Sequence, residues 1–148
     1  MAATPGADRK ALKLSKNAAS IKEASILSSS PAEIVNAQLR AYNARDTEAF
    51  IATYAEDACI YSMPGERLEF RGHAQIAAHY GGKTFQNPAL QAQILARLVV
   101  GNKVIDHERA TGVREEPIEV LVIYEVQAGL IQNVWFHPPD QAAPPAAD

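Results

Sequence analysis

Four consecutive polar residues, Asp106-His107-Glu108-Arg109, interrupt a segment that otherwise reads as a β-strand, VIDHERAT from Val104 to Thr111. Side chains alternate across a strand, so Asp106 and Glu108 share one face while His107 and Arg109 take the other. Two carboxylates roughly 7 Å apart on a concave surface raise one another's pKa, and a pocket raises them further. A carboxyl group shifted in this way is a general base near neutral pH. His107 adds a group whose ordinary pKa already lies close to neutrality. Asp106, Glu108 and His107 are therefore the candidate catalytic residues. The competing reading makes them structural: a one-sided sheet exposes alternate residues, cross-strand ion pairs such as Arg97 with Asp106 are ordinary surface features, and perturbed acids also occur in structural networks.

Other chemistry is sparsely signalled. His73, His79, His107 and His137 match no zinc-ligand spacing, so no metal site is expected. Gly81-Gly82-Lys83-Thr84 follows a helix and lacks the upstream glycine of a phosphate loop, and neither a nucleophile elbow nor a Cys/His pair is present. The chemistry in view needs no cofactor. The single cysteine, Cys59, has no internal disulfide partner and reads as a small buried hydrophobe in a strand, which suits a reducing compartment. Net charge is −3 with the two signs interspersed, and a nucleic-acid surface would require a clustered basic stripe. No apolar run approaches the roughly 18 residues of a membrane helix. The first residues, MAATPGADRKALKLSK, lack the apolar stretch of a secretory signal and read as a flexible extension ahead of a cytoplasmic protein.

The elements that must position these residues are legible in turn. A chain of 148 residues with 47% apolar content is one domain with a sizeable core. Residues 1–29 are polar and only loosely periodic, with Leu14, Ile21 and Ile26 spaced for a marginal helix. The tail from 139 to 148 is Pro/Ala-rich and reads as disordered. Between them, residues 30–138 form the folded part. Ser30-Pro31-Ala32-Glu33 is a capping box opening a first helix, with Ile34, Val35, Leu39 and Tyr42 on its apolar face. Asp46 caps a second helix carrying Phe50, Ile51 and Tyr54 at helical spacing. A short hairpin follows, ACIYSM (Ala58 to Met63) and LEF (Leu68 to Phe70) about the Pro64-Gly65 turn. Gly72 opens a third helix that Gly81-Gly82 ends. The remainder is strand: Leu90 to Val100, Val104 to Thr111, Ile118 to Val126 and Leu130 to Phe136, linked by hairpin-length turns. Helices first and strands last predict an α+β domain, three helices over a strongly curved antiparallel sheet. Tyr54, Tyr80 and Trp135 sit on faces that should meet between the layers and are the expected lining of a pocket there.

This order of elements, with AYNARDTEAFIATYAEDACIYSMPG, FRGHAQIAAHY, VVGNKVIDHERATG and IYEVQAGLIQNVWF, resembles the nuclear transport factor 2-like superfamily, in its SnoaL-like and steroid-isomerase-like branch. The resemblance covers about Pro31 to Phe136. It implies a cystatin-like cone whose pocket takes a small, mostly apolar organic molecule, and a homodimer formed through the sheet. Family members include isomerases, epoxide hydrolases, cyclases, dehydratases and domains that only bind or dimerise, so the resemblance specifies fold more sharply than activity. Ketosteroid isomerases use an aspartate base, a tyrosine and a protonated aspartic acid. Matching Asp57-Ala58-Cys59-Ile60 to the family's Asp-Ala-Thr-Val puts Ser62 at the base, aligning the first helix back from Asp46 puts Gln38 at the tyrosine, and Glu119 falls near the second acid. An orthodox ketosteroid isomerase is therefore not implied. The epoxide hydrolases of the superfamily surround a water with carboxylates and an arginine; here Arg97 is the arginine on the strand beside Asp106. The resulting expectation is a cofactor-free isomerase, hydratase or hydrolase, with a non-catalytic ligand-binding or dimerisation domain as the alternative.

Overall fold

The computed structural model describes residues 29–139. The expected N-terminal helix and most of the C-terminal tail lie outside the described residues. Helix α1 spans Pro31–Ala44 and begins as the capping box requires: Ser30 Oγ accepts from the Glu33 N–H at 3.2 Å. It ends at Arg45, whose φ of 54° turns the chain left-handed. Helix α2, Thr47–Ile51, is one turn long, and Asp46 accepts from the Ala49 N–H at 3.1 Å.

Tyr54 does not continue α2. It opens strand β1, Tyr54–Ser62, which starts four residues before the expected Ala58. The Phe50–Tyr54 spacing fits a helix, but the Ile131 N–H donates to Thr53 O at 2.9 Å and draws the backbone into the sheet. Tertiary pairing overrides the local period here. Strand β2 (Arg67–Arg71) and helix α3 (Gly72–Gly82) follow, then a 3₁₀ turn at Thr84–Gln86. Strands β3 (Gln91–Val100), β4 (Lys103–Thr111), β5 (Ile118–Gln127) and β6 (Leu130–His137) complete the chain.

The six strands form one sheet in the order β2-β1-β6-β5-β4-β3. The β3–β6 part is the expected antiparallel meander, but β1 and β6 run parallel, so the sheet is mixed. The physical reason is the crossover: α3 carries the chain from the β2 edge to the β3 edge, and the meander returns to meet β1 running in the same direction. Register shifts at Ile60/Tyr61, Ile94/Ala96 and Glu125/Val126 bend the strands, which gives the sheet its curvature.

Burial alternates as a one-sided sheet requires. Val104, Asp106, Glu108 and Ala110 of β4 are buried, as are Val120, Val122, Tyr124 and Val126 of β5. The helices cover this concave face. Phe50, fully buried, sits among the rings of Tyr42, Tyr54, Tyr80 and Phe85 at centroid distances of 6.3, 5.1, 4.7 and 5.2 Å. Cys59 departs from its expected burial: it alternates with buried Ala58 and Ile60, faces the other side of β1 and is half-buried. No helix among the described residues is long and apolar enough to cross a membrane.

Candidate functional site

A cavity of about 370 Å³ opens between α1, α3 and the concave face of the sheet. Its walls are chiefly apolar, with Ile60, Phe70, Val120, Val122 and Phe136 among them. Glu108 is the buried carboxyl group in that wall, only 9% exposed. The Tyr124 hydroxyl donates to its Oε1 at 3.1 Å. Burial, and then the negative charge of Asp106, push its pKa up to about 7, while the Tyr124 hydrogen bond and Arg97 pull the other way. Glu108 is therefore poised to exchange a proton at neutral pH.

Phenols surround this carboxyl group. Tyr42, Tyr54, Tyr80 and Tyr124 all line the cavity. Burial holds each phenol above its ordinary pKa, Tyr80 at about 12, so all four remain protonated donors at neutral pH. The Gln38 amide donates to the Tyr54 oxygen at 3.0 Å, which leaves the Tyr54 proton free for another acceptor. His79, stacked on Phe70 with centroids 4.4 Å apart, also reaches the cavity. Burial, and then the charge of Lys83, lower its pKa.

The expected residues divide between the two faces of the sheet. Glu108, Tyr54, Tyr80, Ser62 and Gln38 line the cavity together. Asp106 shares the inward face but does not line the cavity: it is fully buried, and both its oxygens accept from Arg97 at 2.6 and 2.8 Å. Arg97 is thereby committed to Asp106 and absent from the cavity wall, and no arginine among the described residues lines the cavity.

Three expectations are corrected. His107 faces outward, because strand alternation that buries Asp106 and Glu108 must expose the residue between them. Its Nε2 bonds Glu119 Oε1 at 2.9 Å, and Glu119 is outside for the same reason, one position from buried Val120. Trp135 also misses the cavity. Its neighbours Val134 and Phe136 line it, while the indole stacks on Tyr61 at 6.1 Å and donates to Glu66 Oε1 at 3.3 Å.

Sequence reasoning did not assign Tyr42, Tyr124 or His79 to the pocket. Signals for two of them were present: Tyr42 lies one helical turn beyond Gln38, and Tyr124 has the parity of Val120 and Val122 on β5. His79 required knowing where α3 docks. Among the described residues no group of three or more His, Cys, Asp or Glu side chains is arranged to hold a metal ion.

The model of the SnoaL-like domain matches residues 35–134, well over half of the sequence. The chain belongs to the SnoaL-like domain family. Solved structures agree on the fold. An uncharacterised cystatin-fold protein from Novosphingobium aromaticivorans is 23% identical, with a TM-score of 0.67 over 73% of this SnoaL-like chain and 97% of its own. A candidate ketosteroid isomerase from Kribbella flavida is 21% identical, with a TM-score of 0.65 over 79% and 83% of the two chains. A computationally designed 17-OHP binder, 18% identical, superposes with a TM-score of 0.62 over 74% and 91%. No curated protein matches the sequence.

Proposed function

We propose that this SnoaL-like protein binds a small, neutral, mostly apolar carbonyl compound and moves a proton on it, with Glu108 as the general base. The supporting observation is a single buried carboxyl group, with a pKa of about 7, set in an apolar cavity among protonated phenols. In the reaction Glu108 takes a proton from the carbon beside the carbonyl, and the C–H electrons pass into an enolate. Phenol donors such as Tyr54 and Tyr80 stabilise the oxygen that gains charge, which is the largest contribution available in a water-poor site. On a β,γ-unsaturated ketone that enolate is conjugated with the double bond, so Glu108 returns the proton to the γ carbon as the double bond shifts, giving the conjugated isomer and the original carboxylate. Asp106, the other carboxylate among the candidates from the sequence, gives way to Glu108 because its oxygens are occupied by Arg97 and it does not face the cavity.

The alternative is a binding domain without turnover, in which protonated Glu108 is a hydrogen-bond donor to the ligand. The designed 17-OHP binder shares the fold, which supports this second reading. A second copy of the chain as partner is supported by the exposed apolar side chains Leu98, Val99, Val100 and Leu121, and sedimentation velocity tests it.

The deciding experiment is a thermal-shift and turnover screen of wild type and Glu108→Gln against unsaturated ketones, epoxides and lactones. The catalytic reading expects a ligand that stabilises both proteins and is converted by wild type alone. Conversion that survives Glu108→Gln removes Glu108 as the base. Stabilisation of both without any conversion favours the binding domain.

A further inference from the structure

Asp106 has no exposed surface, yet it does not line the cavity that holds Glu108. A buried carboxylate loses several kcal/mol of hydration unless matched by a well-aligned partner. Here the match is a fork: Arg97 Nε and Nη2 reach the two Asp106 oxygens at 2.6 and 2.8 Å from the directly opposite position on β3. The same guanidinium uses Nη1 to reach Asn36 Oδ1 on α1 at 2.6 Å. One side chain therefore ties β3, β4 and α1 together. Two residues beyond Asp106, β4 presents Glu108 to the cavity. Two and six residues beyond Asn36, α1 presents Gln38 and Tyr42 to the same cavity.

We propose that Arg97, Asp106 and Asn36 form a positioning unit for Glu108, in which Asp106 supplies a fixed negative charge beside the pocket carboxyl and Arg97 anchors and partly offsets it. The unit thereby sets the pH at which Glu108 gains its proton. This rests on the reading of Glu108 as the working carboxyl group. The other ionisable groups around Glu108 are the phenols of Tyr42 on α1, Tyr54 on β1, Tyr80 on α3 and Tyr124 on β5. All are protonated near neutral pH, so within this cluster Asp106 and Arg97 carry the full charges that act on it. Glu69 and His79 also border the cavity, from β2 and α3. A purely structural ion pair would affect unfolding and leave the Glu108 titration where it is.

The test is a carbon-detected NMR titration of the Glu108 carboxyl in the full chain, comparing wild type, Asp106→Asn and the double variant Arg97→Gln/Asp106→Asn. Wild type should titrate near 7. Asp106→Asn removes the like charge and leaves the arginine, so the midpoint should fall by about one unit or more. The double variant leaves no unpaired charge in the core, and its midpoint should lie between the other two. It also preserves the test should the single variant fold poorly, since removal of the closer charge still lowers the midpoint. A wild-type midpoint near 7 that neither variant moves overturns this proposal alone. A double-variant midpoint at or below that of Asp106→Asn removes Arg97 from it. An ordinary glutamate midpoint in wild type overturns the assignment of Glu108 as the base, and this proposal with it.

Discussion

The Tyr124 hydroxyl donates to Glu108 Oε1 across 3.1 Å, from the strand next to the one that carries the acid. This bond favours the charged carboxylate, while burial and the Asp106 charge favour the protonated form. The balance leaves Glu108 near neutrality. Tyr124→Phe keeps the ring and removes the donor, so the Glu108 midpoint should rise above about 7. Stability should fall by about 1 kcal/mol where Glu108 is ionised. NMR titration and urea unfolding at pH 8 check the two effects, and an unchanged or lower midpoint would contradict the assigned balance.

Glu108 also makes stability depend on pH in a definite direction. Its folded pKa, about 7, lies above the ordinary value of 4.5, so the native state holds the proton more tightly than the unfolded chain. The contribution is complete below pH 4.5 and is lost as pH rises through 7, a change on the order of 3 kcal/mol. Glu108→Gln cannot titrate. Relative to wild type it should gain stability between pH 5 and pH 8 (roughly the window set by the two pKa values). Parallel unfolding free energies for the two proteins across that window would contradict the burial argument.

Asn43 presents another sharp case. Its side chain donates to Ala92 O at 3.0 Å and accepts from the Ala92 N–H at 2.7 Å, so a helix side chain continues the hydrogen-bonding pattern at the sheet edge. Asn43→Ala leaves both Ala92 backbone groups without that partner, and about 1–3 kcal/mol of stability should be lost. Faster amide exchange at Ala92 is the local readout.

Phe50 joins the helices to the floor of the pocket through four aromatic neighbours. Phe50→Ala should lose about 3–5 kcal/mol, because removing a fully buried ring leaves a cavity that rigid neighbours do not refill. Chemical denaturation measures it directly. A loss below 1 kcal/mol (roughly the scale of a surface substitution) would mean that the ring cluster collapses around the gap.

His107 and Glu119 should matter little. Both are exposed on the outer face, so His107→Ala and Glu119→Ala should each change stability by less than about 1 kcal/mol. Any ligand found for the cavity should bind both variants as it binds wild type. A selective loss of affinity in either would place the outer face in the functional site.

Much of this architecture was legible in the sequence because its signals are local. The capping box at Ser30 and the hairpin-length turns that link the last four strands each depend on a few adjacent residues. Strand alternation also separated Asp106 and Glu108 from His107 and Arg109 correctly. The motif resemblance to the SnoaL-like family is borne out by the match over residues 35–134.

Tertiary structure decided the choice between equivalent local readings. Tyr54 satisfied a helix by spacing, but its pairing beside β6 made it a strand residue at the pocket wall. Asp106 and Glu108 were equivalent by chemistry and parity, and the sequence set only Asp106 apart, as the partner of Arg97. They became different because Arg97 lies directly opposite Asp106 and occupies both its oxygens, whereas Glu108 meets Tyr124 and the cavity. A sequence can place two acids on one face, since that follows from the twofold period of a strand. The Arg97–Asp106 pair is a contact within one hairpin and was legible as such, but the Tyr124 hydroxyl and the cavity that leave Glu108 to titrate come from β5 and the helices, which local patterning does not place.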